Sequence, residues 1–460
     1  MRSHLSPLDA TFLEIEEFDD AAQVQIGWAN IFDPPPGGGR PCLETLREQA
    51  RARLEEASVL RRRLSMPRIG QLSLPVWLPD PAFDAGQMIS RATLPDPGGE
   101  EELTSWLGDH FSRRLDRARP LWEVTMLDGL EEGRWALVFK LHHCLVDGYS
   151  AANLAAALVD AEPRPEEGST TLAEMVAALG RQAERAALTR LRGLVGGVGG
   201  GIDAEVKPYE VAAILWRSQV IATRLARQQM EPPVSTSLNG PTGSERRLAA
   251  LDVSLEALER MGREMGGTAN DVVMTAIAGG LRRLFEHRGE DVDQVRAILP
   301  LNLRRASESL VLGEEVSSLF VELEIAEPDP FRRYRKIAAA ASESWEGASS
   351  VAEVALERID LTQSLVQSVI ARLAFTPDLF NLTVANIPSF PFTLYSQGAP
   401  MRRAIPVLPL STGQALGVAA GGYNGRVYFG LNADRDAVPD LDLVRTGIEE
   451  TLHDLARVSA

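Results

Sequence analysis

The chain has little cysteine and little histidine. Its 460 residues hold two cysteines, Cys42 and Cys144, and six histidines. Two distant cysteines that match no metal-ligand spacing exclude a disulfide framework and predict a reducing, cytoplasmic setting. Cys144 is followed by the apolar Leu145 and Val146, so it is expected as buried filler rather than as a reactive thiol. No stretch offers the roughly 18 consecutive apolar residues of a membrane-spanning helix. Asp9, Glu14, Glu16 and Glu17 arrive too early for a secretory signal. Peripheral contact with a membrane or a lipid droplet stays open. Basic residues are outnumbered, 47 against 64, and the formal net charge is −17. That excess argues against non-specific nucleic-acid binding, which rests on Lys and Arg neutralising phosphates. An anionic ligand would have to be met by a local basic patch. Neither G-x-S-x-G nor a strand-linked G-x-G-x-x-G is present, which removes the α/β-hydrolase and dinucleotide readings.

A chain of this length exceeds one ordinary core and predicts two domains or a pseudo-symmetric pair. The first 165 residues mix strands and helices. A helix is expected over Cys42–Leu64, running into the basic "LRRRL", and another over Glu100–Leu115. Trp122–Leu130 and Arg134–Leu141 read as strands around the turn Glu131–Gly133. "SAANLAAALVD" then reads as a helix. Residues 166–244 form a linker region with helices over Leu172–Arg192 and Tyr209–Gln229 around a glycine-rich stretch. From residue 245 the alternation restarts. Strands are expected over Arg246–Ser254, Val295–Arg304 and Leu379–Pro388, with helices over Leu255–Met265, Thr268–Gly289 and Leu441–Val458. Ala415–Asp434 reads as a hairpin turning at Asn424-Gly425.

Two of the scarce histidines sit side by side in "KLHHCLVDGYS", residues 140–150. In a strand, side chains alternate between faces. Trp135, Leu137, Phe139, Leu141 and His143 then share one face, and Ala136, Val138, Lys140 and His142 the other. Only one histidine of the pair can serve a given substrate, and the other is available to brace the loop. An imidazole, titrating ordinarily near about 6.5, is a suitable general base at neutral pH. A histidine on an apolar strand face is also commonly a satisfied core residue, and the residues alone leave both readings standing. Adjacent ligands on opposite faces do not share a metal readily, and no carboxylate cluster accompanies them, so no metal is expected. Asp147 could orient His143, bond the loop backbone, cap the following helix or pair with an arginine. Gly148 permits a tight turn.

"HHCLVDG" matches the H-H-x-x-x-D-G motif, and other stretches follow in order. These are "LSPLDATFLEIE", Pro120-Leu121-Trp122, "SLNGPTGSERRLA", Asn270-Asp271, Pro300-x-x-x-Arg304, "NLTVANIPSF" and "GGYNGRVYFGLNADRDAVPD". Over nearly its whole length the chain resembles the bacterial wax ester synthase/diacylglycerol acyltransferases, within the chloramphenicol-acetyltransferase-like acyltransferases that include peptide-synthetase condensation domains. The resemblance implies an α/β fold of two pseudo-symmetric domains, residues 1–165 and 245–460, with mixed sheets flanking a substrate tunnel and a helical crossover at 166–244. It implies an acyl-CoA-dependent O-acyltransferase without a cofactor, taking long-chain acyl-CoA as co-substrate and esterifying diacylglycerol to triacylglycerol. His143 would be the general base, His142 its support and Asp147 a structural clamp, with Arg304 as candidate partner. Asn270 or a backbone N–H near Gly148 would stabilise the oxyanion. Pro120, Leu121 and Trp122 are candidates for substrate contact or for plain packing. Arg61, Arg62 and Arg63 are candidates for the CoA phosphates or for a solvated face. Wax ester synthesis from a fatty alcohol uses the same residues. A condensation enzyme with a carrier-protein donor and a non-catalytic lipid-binding or droplet-coat protein are the other classes. The chain departs from the family's usual residues at Met88, Glu314, Ser389 and Phe390.

Overall fold

A computed structural model describes residues 3–5, 7–54, 60–65, 75–145, 158–163, 232–302, 316–356, 379–410 and 412–458. The expected helices over Leu172–Arg192 and Tyr209–Gln229, and most of "SAANLAAALVD", lie outside them.

Two six-stranded sheets of mixed direction organise the described chain, as the sequence led us to expect. A small antiparallel sheet joins β1 (Ser3–His4), β3 (Arg62–Ser65) and β4 (Val76–Pro79). The first large sheet contains β2 (Gln25–Phe32), β5 (Ile89–Thr93), β6 (Trp122–Asp128) and β7 (Trp135–His142). β5 and β6 run parallel, which requires a crossover, and helix α3 (Glu100–Phe111) supplies it. β6 and β7 pair antiparallel around the short turn Glu131–Gly133, as their spacing predicted. Every residue of β7 is buried, the mark of a strand covered on both faces. Trp135, Leu137, Phe139 and Leu141 enter one apolar cluster, together with Phe12 of α1 (Pro7–Phe18). Ala136 and Val138 enter another, with Leu103, Leu107 and Phe111 of α3. The period of two read from "WALVFKL" is therefore the real partition of the core.

The expected helix over Cys42–Leu64 needs correction. Helix α2 spans Leu43–Leu54, and Arg62–Ser65 is strand β3, paired to Pro79–Val76. Only Leu64 among those four residues is buried. The pairing with β4 decides the conformation there, and it is invisible to local helix propensity.

The second large sheet runs in the order β10, β9, β11, β14, β15, β8. These are Val316–Glu324, Gln294–Asn302, Leu382–Phe390, Leu416–Tyr423, Arg426–Asp434 and Arg246–Ser254. Helices α4 (Leu255–Glu264), α5 (Ala269–Arg288), α6 (Pro330–Leu356) and α7 (Leu441–Val458) accompany it. α5 begins at a capping box between Thr268 and Asp271 and ends at Gly289, whose φ of 67° is left-handed. The hairpin turns at Asn424 and Gly425, with φ of 45° and 77°, the two positive values that a tight hairpin turn demands.

The two halves interlock. β12 (Tyr395–Ser396) and β13 (Ala399–Val407) leave the second half and complete the first sheet, where β13 pairs antiparallel with β2. A Cβ at Gly430 of β15 would stand 1.7 Å from the Pro406 carbonyl oxygen, so glycine permits β13 to lie against β15. The Tyr423 hydroxyl donates to the Met401 carbonyl and accepts from the Leu394 N–H, at 3.1 and 3.0 Å. The buried Arg246 guanidinium donates to the Ala21 carbonyl at 2.7 Å, and the backbone N–H of Arg246 donates to Ser112 Oγ at 2.7 Å. Leu248 and Ala250 of β8 join the cluster under α3.

Candidate active site

β7 is held at its far end on both sides. The N–H of His142 donates to the Leu121 carbonyl at 3.0 Å, and the N–H of His143 donates to the Val24 carbonyl at 2.9 Å. Immediately afterwards the chain turns, with the Leu145 N–H donating to the His142 carbonyl at 3.0 Å. Strict strand alternation thus reaches His142, and His143 is carried by the turn.

The two rings have different surroundings. His142 is 1% exposed. Its Nδ1 accepts the Cys144 N–H at 3.1 Å, and its Nε2 lies 3.2 Å from Oε2 of Glu16. A nitrogen that accepts an N–H carries no proton, so the proton of neutral His142 sits on Nε2, the nitrogen beside the carboxylate. Glu16 is 2% exposed. Its Oε1 accepts the Val24 N–H at 2.9 Å, and Oε2 also accepts from Arg117 at 3.3 Å. Burial opposes its ionisation, but His142, the Val24 N–H and Arg117 outweigh it and hold the carboxyl at about 2. His143 keeps partial exposure. Its ring lies 4.3 Å from the Phe12 ring, centroid to centroid, at 32°. Phe12 and Glu16 are one turn apart on α1, so a single helix meets both histidines. Cys144 is buried in the same cluster, 3% exposed, as its neighbours predicted.

Two residues before His142, on the same face of β7, Lys140 is equally committed. Lys140, 1% exposed, donates to the carbonyls of His110 and Arg113 at 2.9 and 2.5 Å. Its cation thereby closes the C-terminal end of α3. Burial, and then the charges of Lys140 and Arg113, push His110 down to about 3.

Pro120, Leu121 and Trp122 are all buried beside the histidines. Trp122 is 0% exposed, and its indole N–H donates to the Leu60 carbonyl at 2.9 Å. Leu121 offers its carbonyl to His142. For these two, packing and support of the motif strand describe the geometry. Pro120 also lines an open cavity of 460 Å³, together with Arg63, Phe83, Met88 and Arg119. Arg63 is half-buried on β3, and Arg61 lies over the Phe83 ring at 5.8 Å. Arg62 is half-buried on the same strand. Met88, one of the family departures, is thus a wall of this cavity. Asn270 stands half-buried at the second position of α5. Its neighbour Asp271 accepts from the N–H and the hydroxyl of Thr268, at 2.8 and 2.7 Å, which is a capping role. Phe390 ends β11 and packs against the first cluster, with Ser389 before it on the strand. Asp147, Gly148, Arg304 and Glu314 lie outside the described residues. Glu16 is the residue that sequence reasoning missed. Glu16 closes the "LSPLDATFLEIE" stretch that carried the family resemblance, yet as a single residue it counted only among the early acidic residues that argue against a secretory signal.

Residues 5–273 match the wax ester synthase/diacylglycerol acyltransferase catalytic domain, and residues 312–456 match the C-terminal domain of the same family. Over 469 aligned residues the chain is 31% identical to the probable diacylglycerol O-acyltransferase tgs1 of Mycobacterium tuberculosis (strain CDC 1551 / Oshkosh), covering 99% of this chain and 96% of that one. It is 27% identical to the probable diacylglycerol O-acyltransferase tgs2 of Mycobacterium tuberculosis (strain ATCC 25618 / H37Rv), covering 98% of each. In fold it is similar to the wax ester synthase/diacylglycerol acyltransferase from Marinobacter aquaeolei VT8, with a TM-score of 0.70 and 24% identity over 99% of this chain and 100% of that one. It is also similar to the first condensation domain of the calcium-dependent antibiotic synthetase, with a TM-score of 0.61 and 17% identity over 100% and 96%. With both domains matched in order along its length, the chain belongs to the wax ester synthase/diacylglycerol acyltransferase family of acyltransferase enzymes.

Proposed function

We propose that this enzyme transfers a long-chain acyl group from acyl-CoA to diacylglycerol, with His143 as the general base. The observation that carries the reading is the contrast within the histidine pair. His142 is sealed against Glu16 and Cys144, while His143 keeps exposed surface beside it. The names of full-length relatives support the acceptor.

In this reading His143 takes the proton of the diacylglycerol hydroxyl as its oxygen bonds to the thioester carbonyl carbon. The tetrahedral oxyanion collapses and the C–S bond breaks. The CoA sulfur leaves with the proton held by the imidazolium, giving triacylglycerol and CoA without a covalent acyl-enzyme. No cofactor takes part in these steps. His142 works as a brace, because its ring is already committed to Glu16 and Cys144. Asp147 and Arg304 are proposed as a structural pair, and Asn270 or a backbone N–H near Gly148 as oxyanion donor. The cavity beside Pro120, with Arg63, Arg119 and Phe83, is proposed to receive the nucleotide end of CoA, since guanidinium groups match phosphate and an aromatic ring can stack on adenine. The acceptor is insoluble in water, so the enzyme is proposed to meet it at a membrane or droplet surface. None of the described helices is long and apolar enough to cross a membrane.

The test supplies radiolabelled palmitoyl-CoA with dioleoylglycerol and hexadecanol in competition and separates the lipid products. Triacylglycerol as the main product supports the reading. A predominance of wax ester moves the assignment to the alcohol, and no labelled ester of either kind overturns it.

A further inference from the structure

α1 holds the one buried carboxylate that touches either histidine among the contacts described above, and the reaction scheme does not use it. Glu16 spends both oxygens on fixed donors. Oε1 takes the Val24 N–H at 2.9 Å, and Oε2 faces Nε2 of His142 at 3.2 Å and Arg117 at 3.3 Å. Val24 in turn accepts the His143 N–H at 2.9 Å. Two short paths therefore lead from one carboxylate to the reacting end of β7. One runs through the His142 ring to the Cys144 N–H inside the turn. The other runs through Val24 to the backbone of His143. Arg117 fixes the carboxylate's own helix as well, donating to the Leu13 carbonyl at 3.2 Å.

We propose that Glu16 is a positioning residue for acyl transfer, setting the tautomer and angle of His142 and, through His142 and Val24, the turn that presents His143. The inference rests on the reading of His143 as the base. Only an anionic acceptor satisfies the site. A neutral amide of the same shape would place an NH₂ group against either the Val24 N–H or the Nε2–H of His142, donor against donor in a buried place. One of the two paths would then be released. The turn would keep its residues but lose its single arrangement, and misplacing a reacting group by about 1 Å is enough to slow catalysis on the order of a hundredfold.

The test is steady-state transfer from palmitoyl-CoA to dioleoylglycerol by the full chain, with melting temperature recorded so that rates are compared per folded enzyme. Glu16→Gln is expected to lower kcat by about 10- to 100-fold, the usual effect of losing a group that orients an active-site histidine, with KM for palmitoyl-CoA within about twofold. Glu16→Asp, which keeps the charge, is expected to recover part of the lost kcat. The double variant Glu16→Gln/His142→Ala is expected to be no slower than the slower single variant, since residues acting as a unit are non-additive. Where Glu16→Gln yields no folded protein, His142→Gln reads the same link from the other side and is expected to show the same kcat-selective loss. Unchanged kcat in the folded variants, or losses that multiply in the double variant, would overturn the proposal. His143→Ala, assayed in parallel, separates the two levels. Full turnover without His143 sinks the reading of the base. Loss of turnover in His143→Ala, with Glu16→Gln unaffected, sinks only the positioning role.

Discussion

Lowering the pH from about 7 to about 3 should remove a defined part of the protein's stability, and that part should be missing in Glu16→Gln. The Glu16 carboxyl is held at about 2 in the folded protein against an ordinary value of 4.5. A carboxyl depressed on folding contributes stability above its unfolded value, and that contribution is lost as pH falls toward its folded value. The difference corresponds to about 3 kcal/mol at neutral pH, and about 1 kcal/mol of it remains at a pH of about 3. At 2% exposure the group is not discounted for solvent screening. Urea unfolding of wild type and Glu16→Gln, followed by tryptophan fluorescence at both pH values, isolates the contribution. The variant also loses contacts that do not depend on protonation, so the narrowing of the gap is the quantity to read. It should narrow by about 2 kcal/mol on acidification. A gap that is the same at both pH values would refute the reasoning, because the carboxylate would then be no more acidic folded than unfolded.

Three other outcomes follow from contacts elsewhere. Trp122→Phe removes a buried indole donor and strands the Leu60 carbonyl, so thermal denaturation should show a loss of about 1–3 kcal/mol. Gly430→Ala drives a Cβ into the Pro406 carbonyl. Refolded protein should show a lowered melting temperature and raised proteolysis within residues 395–407 as β13 is pushed from β15. If the cavity lined by Arg63 receives CoA as proposed, Arg63→Ala should raise KM for palmitoyl-CoA several-fold, leave kcat unchanged and flatten the salt dependence of KM.

Much of this fold is written in short-range patterns. Helix α5 lies between the Thr268 and Gly289 that flank its apolar run, because capping side chains and a left-handed glycine act within a few residues. The Asn424-Gly425 turn and the alternation of β7 are likewise local signals. What the sequence hides is long-range pairing. Arg62–Ser65 is a strand only because Val76–Pro79 lies beside it. Residues 395–407 leave the half in which they are encoded, since Met401–Val407 find Gly27–Phe32 as partners. The site divides in the same way. A histidine pair ending a strand is conspicuous in a chain with six histidines, and the alternation of faces already separates the two rings. The carboxylate beside His142 comes from α1, and no spacing rule connects Glu16 to His142. Leu121 and Trp122 are recognisable as a motif, yet their burial and backbone bonds, which make them support for β7, emerge only in three dimensions.

The most direct test of the central claim is thiol release from palmitoyl-CoA in the presence of dioleoylglycerol, by wild type and His143→Ala at matched folded concentration. Wild type is expected to release CoA only with acceptor present, and the variant to be slower by at least about a hundredfold, the lower range for removing a general base. Release by the variant at the wild-type rate would contradict the claim.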